Sequence, residues 1–347
     1  MLGLAALTLG GCATRRTVAP RSSGGAQAAM PAQGAPVPPL RPGGRVAIVA
    51  PASAAPNAAD DAADWLLSRG YQPRIMPAAR SRLDTPFDYL AGTDAERAAD
   101  LHAAFTSADI DAVWCLQGGF GSWRLLDLLD YELLRRHAKP FIGYSDITAL
   151  HLAIQRHAGF VTFHGPMLAQ DLLNGREEPT ESALYAMVGG RMGQGAWIGA
   201  PDYALPTTLM PGTATGRLAG GNLALICAMQ GSRHEIDTRD AILFIEDVNE
   251  AVPRVDRMLS QLAAAGKFES IKGVLAGSFT RSGARDDAQF QYAFHPLLRE
   301  RFGPLGIPVL AGWPSGHGDP NLTLPLGARV TLNATRQGLR LEQAVTR

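Results

Sequence analysis

Neither sign of charge is in excess in this 347-residue chain: 32 Lys and Arg balance 32 Asp and Glu, leaving no net field to draw in nucleic acid or an anionic membrane. A small-molecule partner, not nucleic acid, is the expectation. Cysteine is scarce too. Cys12, Cys115 and Cys227 are too few and too scattered for a disulfide framework or a cysteine-rich metal site. No HExxH and no clustered His, Asp or Cys spacing appears, so no metal and no cofactor is expected. The apolar opening, "MLGLAALTLGG", offers only about ten apolar residues, which cannot span a bilayer as a helix. What is abundant is apolar content: 46% of the chain is hydrophobic, enough over this length for two cores and hence two domains.

Cys115 and Cys227 stand in the apolar runs "AVWCLQ" and "ALICAM" and read as buried small hydrophobes. Cys12 differs. It closes a short apolar stretch ending Leu9-Gly10-Gly11, which resembles a bacterial lipoprotein signal whose cysteine becomes the lipidated first residue, although the basic start of such signals is missing. A periplasmic or membrane-anchored protein with a lipid anchor at Cys12 is the expectation, with a cytoplasmic location as the alternative. From Ala13 to Arg41 the chain is rich in Pro, Gly, Ala and Ser with almost no large apolar residues, and reads as an unfolded tether.

"RVAIVAP" (Arg45–Pro51) reads as the first strand, "DDAADWLLSRGY" as a helix stopped by Gly70, and "QPRIMPA" as a second strand. "TDAERAADLHAAF" opens on a capping box, Thr93 to Glu96, and continues as an amphipathic helix. Two further units follow, each a short apolar run, a glycine-bearing turn and a helix: "IDAVWCLQGGFGSWRLLDLL" and "KPFIGYSDITALHLAIQRHAG". This alternation predicts an α/β fold whose N-terminal domain is a doubly wound parallel sheet, with ligand sites at the carboxyl ends of its strands. The expected division is a leader and linker over 1–41, this domain over 42–170, an interdomain connection over 171–211 where Gly and Pro rise, and a second domain over 212–347. In the last, "GRLAGGNLALICAMQG" reads as a Gly-rich turn into a helix. "DAILFIEDVNE", "IKGVLAGSF", "IPVLAGW" and "ARVTLNA" read as strands, in a topology left open.

Nucleophilic catalysis by serine needs an exposed hydroxyl on a constrained turn, a histidine to take its proton and a carboxylate to orient the histidine. Ser145, between Tyr144 and Asp146 at a strand-to-helix turn, meets the first requirement. It reads either as a nucleophile or as a helix N-cap, since Ile147 stands where G-x-S-x-G has its second glycine. The "QGGFG" turn (Gln117–Gly121) has the backbone freedom of a phosphate cradle or an oxyanion hole, or is a plain tight turn; its glycine spacing does not fit a dinucleotide fingerprint. Among eight histidines, His317 lies in the loop "GWPSGHGDPN", where functional side chains concentrate, and His164 in "TFHGPM" is its rival. His102, His137, His151 and His157 fall on helical stretches and read as surface or packing residues. Glu246 and Asp247 end the strand "LFIEDVNE", with Glu250 close behind; each is a candidate carboxylate or a helix cap. Ser145, Glu246 and His317 occur in the chain order that hydrolytic triads on doubly wound sheets use.

Together these stretches resemble one family, the bacterial LD-carboxypeptidases, serine peptidases that trim murein peptides. "VAIVAP", "AGTDAERAADL", "QGGFGSWRLLDLLD", "KPFIGYSDITAL", "TFHGPM", "GRLAGGNLALI", "LFIEDVNEAVPRVDRMLSQL", "GVLAGSF" and "GHGDPNLTLPLGARVTL" carry the resemblance over nearly all of Val46 to Leu332. It implies Ser145 as nucleophile, Glu246 as charge-relay acid and His317 as base, with an oxyanion held by the backbone N–H groups of Gly119 and Asp146. It also implies a Rossmann-like N-terminal domain, a β-rich C-terminal domain, a homodimer, and release of D-alanine from murein tetrapeptide. A sister group in the family cleaves an aminoacyl-nucleotide antibiotic for self-immunity. A non-catalytic binder of cell-wall peptides and an α/β-hydrolase esterase are the other readings.

Overall fold

The computed structural model describes residues 34–176, 178–280 and 287–347, so the lipoprotein-like opening and Cys12 lie outside the described residues. The first half alternates as expected. Strand β1 (Arg45–Val49) leads to helix α1 (Ala59–Ser68), then β2 (Gln72–Ile75), α2 (Asp94–Thr106), β3 (Ala112–Cys115), α3 (Tyr131–Arg136), β4 (Phe141–Gly143), α4 (Thr148–His157) and β5 (Thr162–His164). The Thr93–Glu96 capping box starts α2 with both reciprocal hydrogen bonds made. Val46, Ala47 and Ile48 of β1 and all of β3 are buried, as continuous apolar strands covered on both faces must be.

The five strands pair in parallel in the order β5-β4-β3-β1-β2. The strand order reverses direction between β1 and β3. In an open doubly wound sheet that is where a crevice forms beyond the carboxyl ends, and the turns after β1, β3 and β4 all open there.

The second half is built on α5 (Thr180–Val188), β6 (Trp197–Gly199), β7 (Thr207–Met210), β8 (Thr213–Asn222), α6 (Leu223–Ala228), β9 (Ala241–Val248), α7 (Val252–Ala264), β10 (Gly273–Thr280), α8 (Asp287–Phe302), β11 (Val309–Ala311), β12 (Leu324–Leu326), β13 (Arg329–Asn333) and β14 (Gly338–Leu341). Its eight-stranded sheet runs β6-β14-β13-β8-β9-β10-β11-β7, parallel from β8 to β11 and antiparallel at both flanks. The fold is thus α/β with a second, β-rich part, as expected.

Four details depart from the sequence reading. The tether expected up to Arg41 stops short of it, because Val37 and Leu40 are buried and donate their backbone N–H groups to the carbonyls of Val345 at 3.2 Å and Val188 at 2.9 Å. The connection over 171–211 is not merely a linker, because it supplies α5 and two strands of the second sheet. The glycines of "GRLAGGN" do not form a turn before a helix; they lie inside β8. Their role there is close approach: Gly221, at φ 139°, faces Thr148 at the start of α4, and a β-carbon would overlap that side chain. The next residue, Asn222, donates its backbone N–H to Thr148 Oγ1 at 2.9 Å. The two sheets therefore touch one residue beyond the Ser145 turn. Finally, β12 leaves the second half and pairs antiparallel with β5, completing the first sheet.

Candidate active site

Ser145 follows β4 after one residue, Tyr144, and opens a 3-10 turn (Ser145–Ile147) that leads into α4. Its φ is 63°, a left-handed conformation that costs a side-chain-bearing residue free energy and persists where the surroundings impose it. No side chain caps either this turn or α4, so the hydroxyl is not spent as an N-cap. It donates instead to His317 Nε2 at 3.0 Å. On the far side of the ring, His317 Nδ1 donates to Glu246 Oε2 at 2.7 Å. A carboxylate only accepts, so the Glu246 contact fixes the proton on Nδ1 and leaves the Nε2 lone pair facing the serine.

These groups come from different sheets. Ser145 follows β4 of the first; Glu246 lies near the end of β9 of the second, and His317 lies in the loop after β11. Glu246 is fully buried, while the His317 side chain retains 7% exposure. Burial by itself disfavours the imidazolium, but attraction and hydrogen bonding from Glu246, helped by Asp247 and Asp171, outweigh it and hold His317 above its ordinary pKa.

The other candidates separate cleanly. Asp247, next along β9, accepts from Asn222 Nδ2, Ala224 N and Val248 N, each at 2.9 Å, so it ties down the strand end. Burial, with Glu246 beside it, pushes its carboxyl up to about 6. Glu250 pairs with Arg254 at 3.6 Å. His164 is buried in β5, edge-on to Tyr144 and Phe244, and burial keeps it neutral, well below the usual imidazole range. His151 is fully buried against the Gly143 carbonyl at 2.8 Å, its pKa pushed down to about 4. His102 accepts from Asp130 N, His157 meets His234 at 3.1 Å, and His137 is exposed. Cys115 and Cys227 are buried free thiols.

The "QGGFG" turn lies against the serine: a β-carbon at Gly118 would sit 3.0 Å from Ser145 Cβ. Ser53, in the loop after β1, shapes this turn by donating its backbone N–H to the Gly118 carbonyl at 3.1 Å and accepting Phe120 N–H on its hydroxyl at 3.0 Å. Asp146 is held from the same side, its carboxylate accepting from Ser122 N at 2.8 Å and its carbonyl from Ser122 Oγ at 2.5 Å. Among the described residues, the backbone N–H groups of Gly119 and Asp146 donate to no other protein group. Ser53 and Ser122 were missed by sequence reasoning. A serine in the loop after a first strand is a faint signal, and its partner lies 67 residues away.

The geometry is matched by likeness. Residues 46–165 match the family model for the LD-carboxypeptidase N-terminal domain, and residues 215–332 that for its C-terminal domain. The chain is 36% identical over 308 residues to a probable murein peptide carboxypeptidase of Bacillus subtilis, covering 88% of this chain and 94% of that one. The crystal structure of muramoyltetrapeptide carboxypeptidase from Oxalobacter formigenes superposes with a TM-score of 0.71 at 31% identity, over 86% of this chain and 97% of that one. The structure of MccF in complex with glutamyl sulfamoyl guanosine is alike in fold, with a TM-score of 0.77 at 24% identity over 89% and 99% of the two chains. Two matched domains, a relative alike over most of its length and a solved structure of the same architecture lead to one statement: this chain is a peptidase of the LD-carboxypeptidase family.

Proposed function

We propose that the chain is a serine LD-carboxypeptidase that removes the terminal D-alanine of murein tetrapeptide through an acyl-enzyme. The observation that carries this reading is the unbroken chain of contacts from Ser145 Oγ through His317 to Glu246. His317 Nε2 takes the Ser145 proton as Oγ attacks the carbonyl between the L-centred diamino acid and D-alanine. The resulting oxyanion is met by the N–H groups of Gly119 and Asp146, and Glu246 stabilises the imidazolium. His317 then gives its proton to the departing amine, and D-alanine leaves. Water, deprotonated by His317, attacks the acyl-enzyme; the shortened peptide is released and Ser145 regains its proton.

The deciding experiment is an assay of D-alanine release from murein tetrapeptide, with Ser145→Ala alongside. Wild type is expected to turn over and the variant to lose activity by several orders of magnitude while keeping its fold. Wild-type activity in Ser145→Ala would overturn the mechanism. Cleavage of an aminoacyl-nucleotide in place of the peptide would reassign the substrate. The lipoprotein-like opening that ends at Cys12 supports a further part of this proposal, a location in the cell envelope with lipid on Cys12. Fractionation of cells carrying the full-length gene tests it: Cys12→Ser should move the protein out of the membrane fraction.

A further inference from the structure

Asp171, Arg176 and Thr180 belong to neither catalytic strand, yet together they touch both halves of the site. The Asp171 carboxylate is fully buried. It accepts from Met167 N at 2.8 Å, from the Tyr144 hydroxyl at 3.1 Å and from Arg176 Nη1 at 2.9 Å. Tyr144 immediately precedes Ser145, and its ring meets the His317 ring edge-on with centroids 4.9 Å apart. Arg176 Nη1 also donates to the carbonyl of Gly318, the residue after His317, at 2.8 Å. The residue before His317 is held from the same stretch: Gly316 N donates to Asn321 Oδ1 at 2.9 Å, and Asn321 N donates to Thr180 Oγ1 at 3.0 Å. One carboxylate and one guanidinium thus join the neighbour of Ser145 to the neighbour of His317.

The Asp171 end of this ion pair is fully buried and the Arg176 side chain is 27% exposed, and such a pair is a poor device for stability alone, because desolvation of the carboxylate and solvent screening at the guanidinium consume most of the attraction. What a guanidinium adds is a rigid set of donors that fixes two acceptors relative to each other. Here the acceptors belong to Asp171, which holds the serine side, and to the histidine loop. We propose that Arg176, anchored on Asp171, is a positioning residue that sets the distance between His317 Nε2 and Ser145 Oγ. This rests on Ser145 and His317 acting as nucleophile and base. A misplacement of about 1 Å costs a reaction on the order of 100-fold.

The test uses the full-length protein and a fluorophosphonate, which needs no knowledge of the natural substrate. Ser145 Oγ forms a bond to phosphorus, fluoride leaves, and the serine proton passes to His317. Both the maximal labelling rate and the probe concentration at half-maximal rate are measured, at a temperature where circular dichroism shows each protein folded. Arg176→Met is expected to lower the maximal rate about 100-fold, with the half-maximal concentration within about twofold and the same final extent of labelling. A folding defect alone would lower the final extent instead. Arg176→Lys, which keeps the charge but not the fork, is expected to fall about tenfold and carries the test if Arg176→Met does not fold. A maximal rate within about twofold of wild type in the folded variant overturns the proposal. Failure of the underlying reading looks different, since wild type itself would then go unlabelled at Ser145, and the proposal would fall with it.

Discussion

Gly316 faces Glu246 so closely that a β-carbon at position 316 would overlap the carboxylate oxygen that accepts from His317. Its φ of 108° is also one that side-chain-bearing residues rarely adopt. Gly316→Ala is therefore expected to displace Glu246 and lower kcat for D-alanine release about 100-fold, with KM little changed. Steady-state kinetics on folded protein decide it, and an unaltered kcat would remove the argument.

The rate should rise with pH through the titration of His317, because only the neutral ring can take the serine proton. Glu246 holds that titration above the ordinary imidazole value of about 6.5, so the acid limb of kcat/KM should lie above it. In Glu246→Gln the attraction is gone while burial remains. The midpoint is expected to move down and the rate to fall by about 10³- to 10⁴-fold. A pH profile that kept its midpoint in the variant would assign the limb to another group.

Ser53 supplies the acceptor for Phe120 N–H, one residue past Gly119. Ser53→Ala leaves that donor to water and loosens the turn, so kcat is expected to drop about tenfold, less than the roughly 10²- to 10³-fold that losing an oxyanion donor itself costs. Thermal unfolding should hardly change, since the turn is at the surface. A large fall in melting temperature with intact kcat would give Ser53 a purely structural role.

Arg97 is wholly buried on α2, giving Nε to the Gly92 carbonyl and Nη1 to the carbonyls of Pro51 and Gly121 while pairing with Asp94. It ties the loops after β1 and β3 to one helix. Arg97→Met would strand two buried carbonyls, those of Gly92 and Pro51, while Gly121 keeps Arg124 N–H, and is expected to cost about 3 kcal/mol. The urea midpoint of the variant measures it, and an unchanged midpoint would mean water satisfies those carbonyls.

How much of this was legible in the sequence follows from the range of the forces involved. Periodicity and the Thr93–Glu96 box are local, and they located the alternating strands and helices of the first sheet. The Ser145, Glu246 and His317 side chains were picked from turn, strand-end and loop placement, and the structure brings Ser145 and Glu246 each within hydrogen-bond distance of His317. What escaped depends on contacts between distant segments. The Gly220-Gly221 pair looks like a turn until Thr148 is seen pressing on β8. Asp171 and Arg176 lie in a stretch of weak pattern, and their partners, Tyr144 and Gly318, are 27 and 142 residues away. Three acids near the end of β9 looked alike, because strand spacing does not tell which one meets a ring 71 residues further on.

Strand β12 follows the histidine loop by a few residues and closes the open edge of β5. That pairing sets an order of events in synthesis. A ribosome that has made everything up to β11 has made Ser145 and Glu246 but not the segment that closes the first sheet, so β5 presents unpaired backbone groups, a hazard for edge-to-edge association. The same short stretch of chain, residues 317–326, delivers both His317 and the missing strand. His317 and the protection of that edge therefore arrive together, after β11 has been made, and a chain cut short before them has neither.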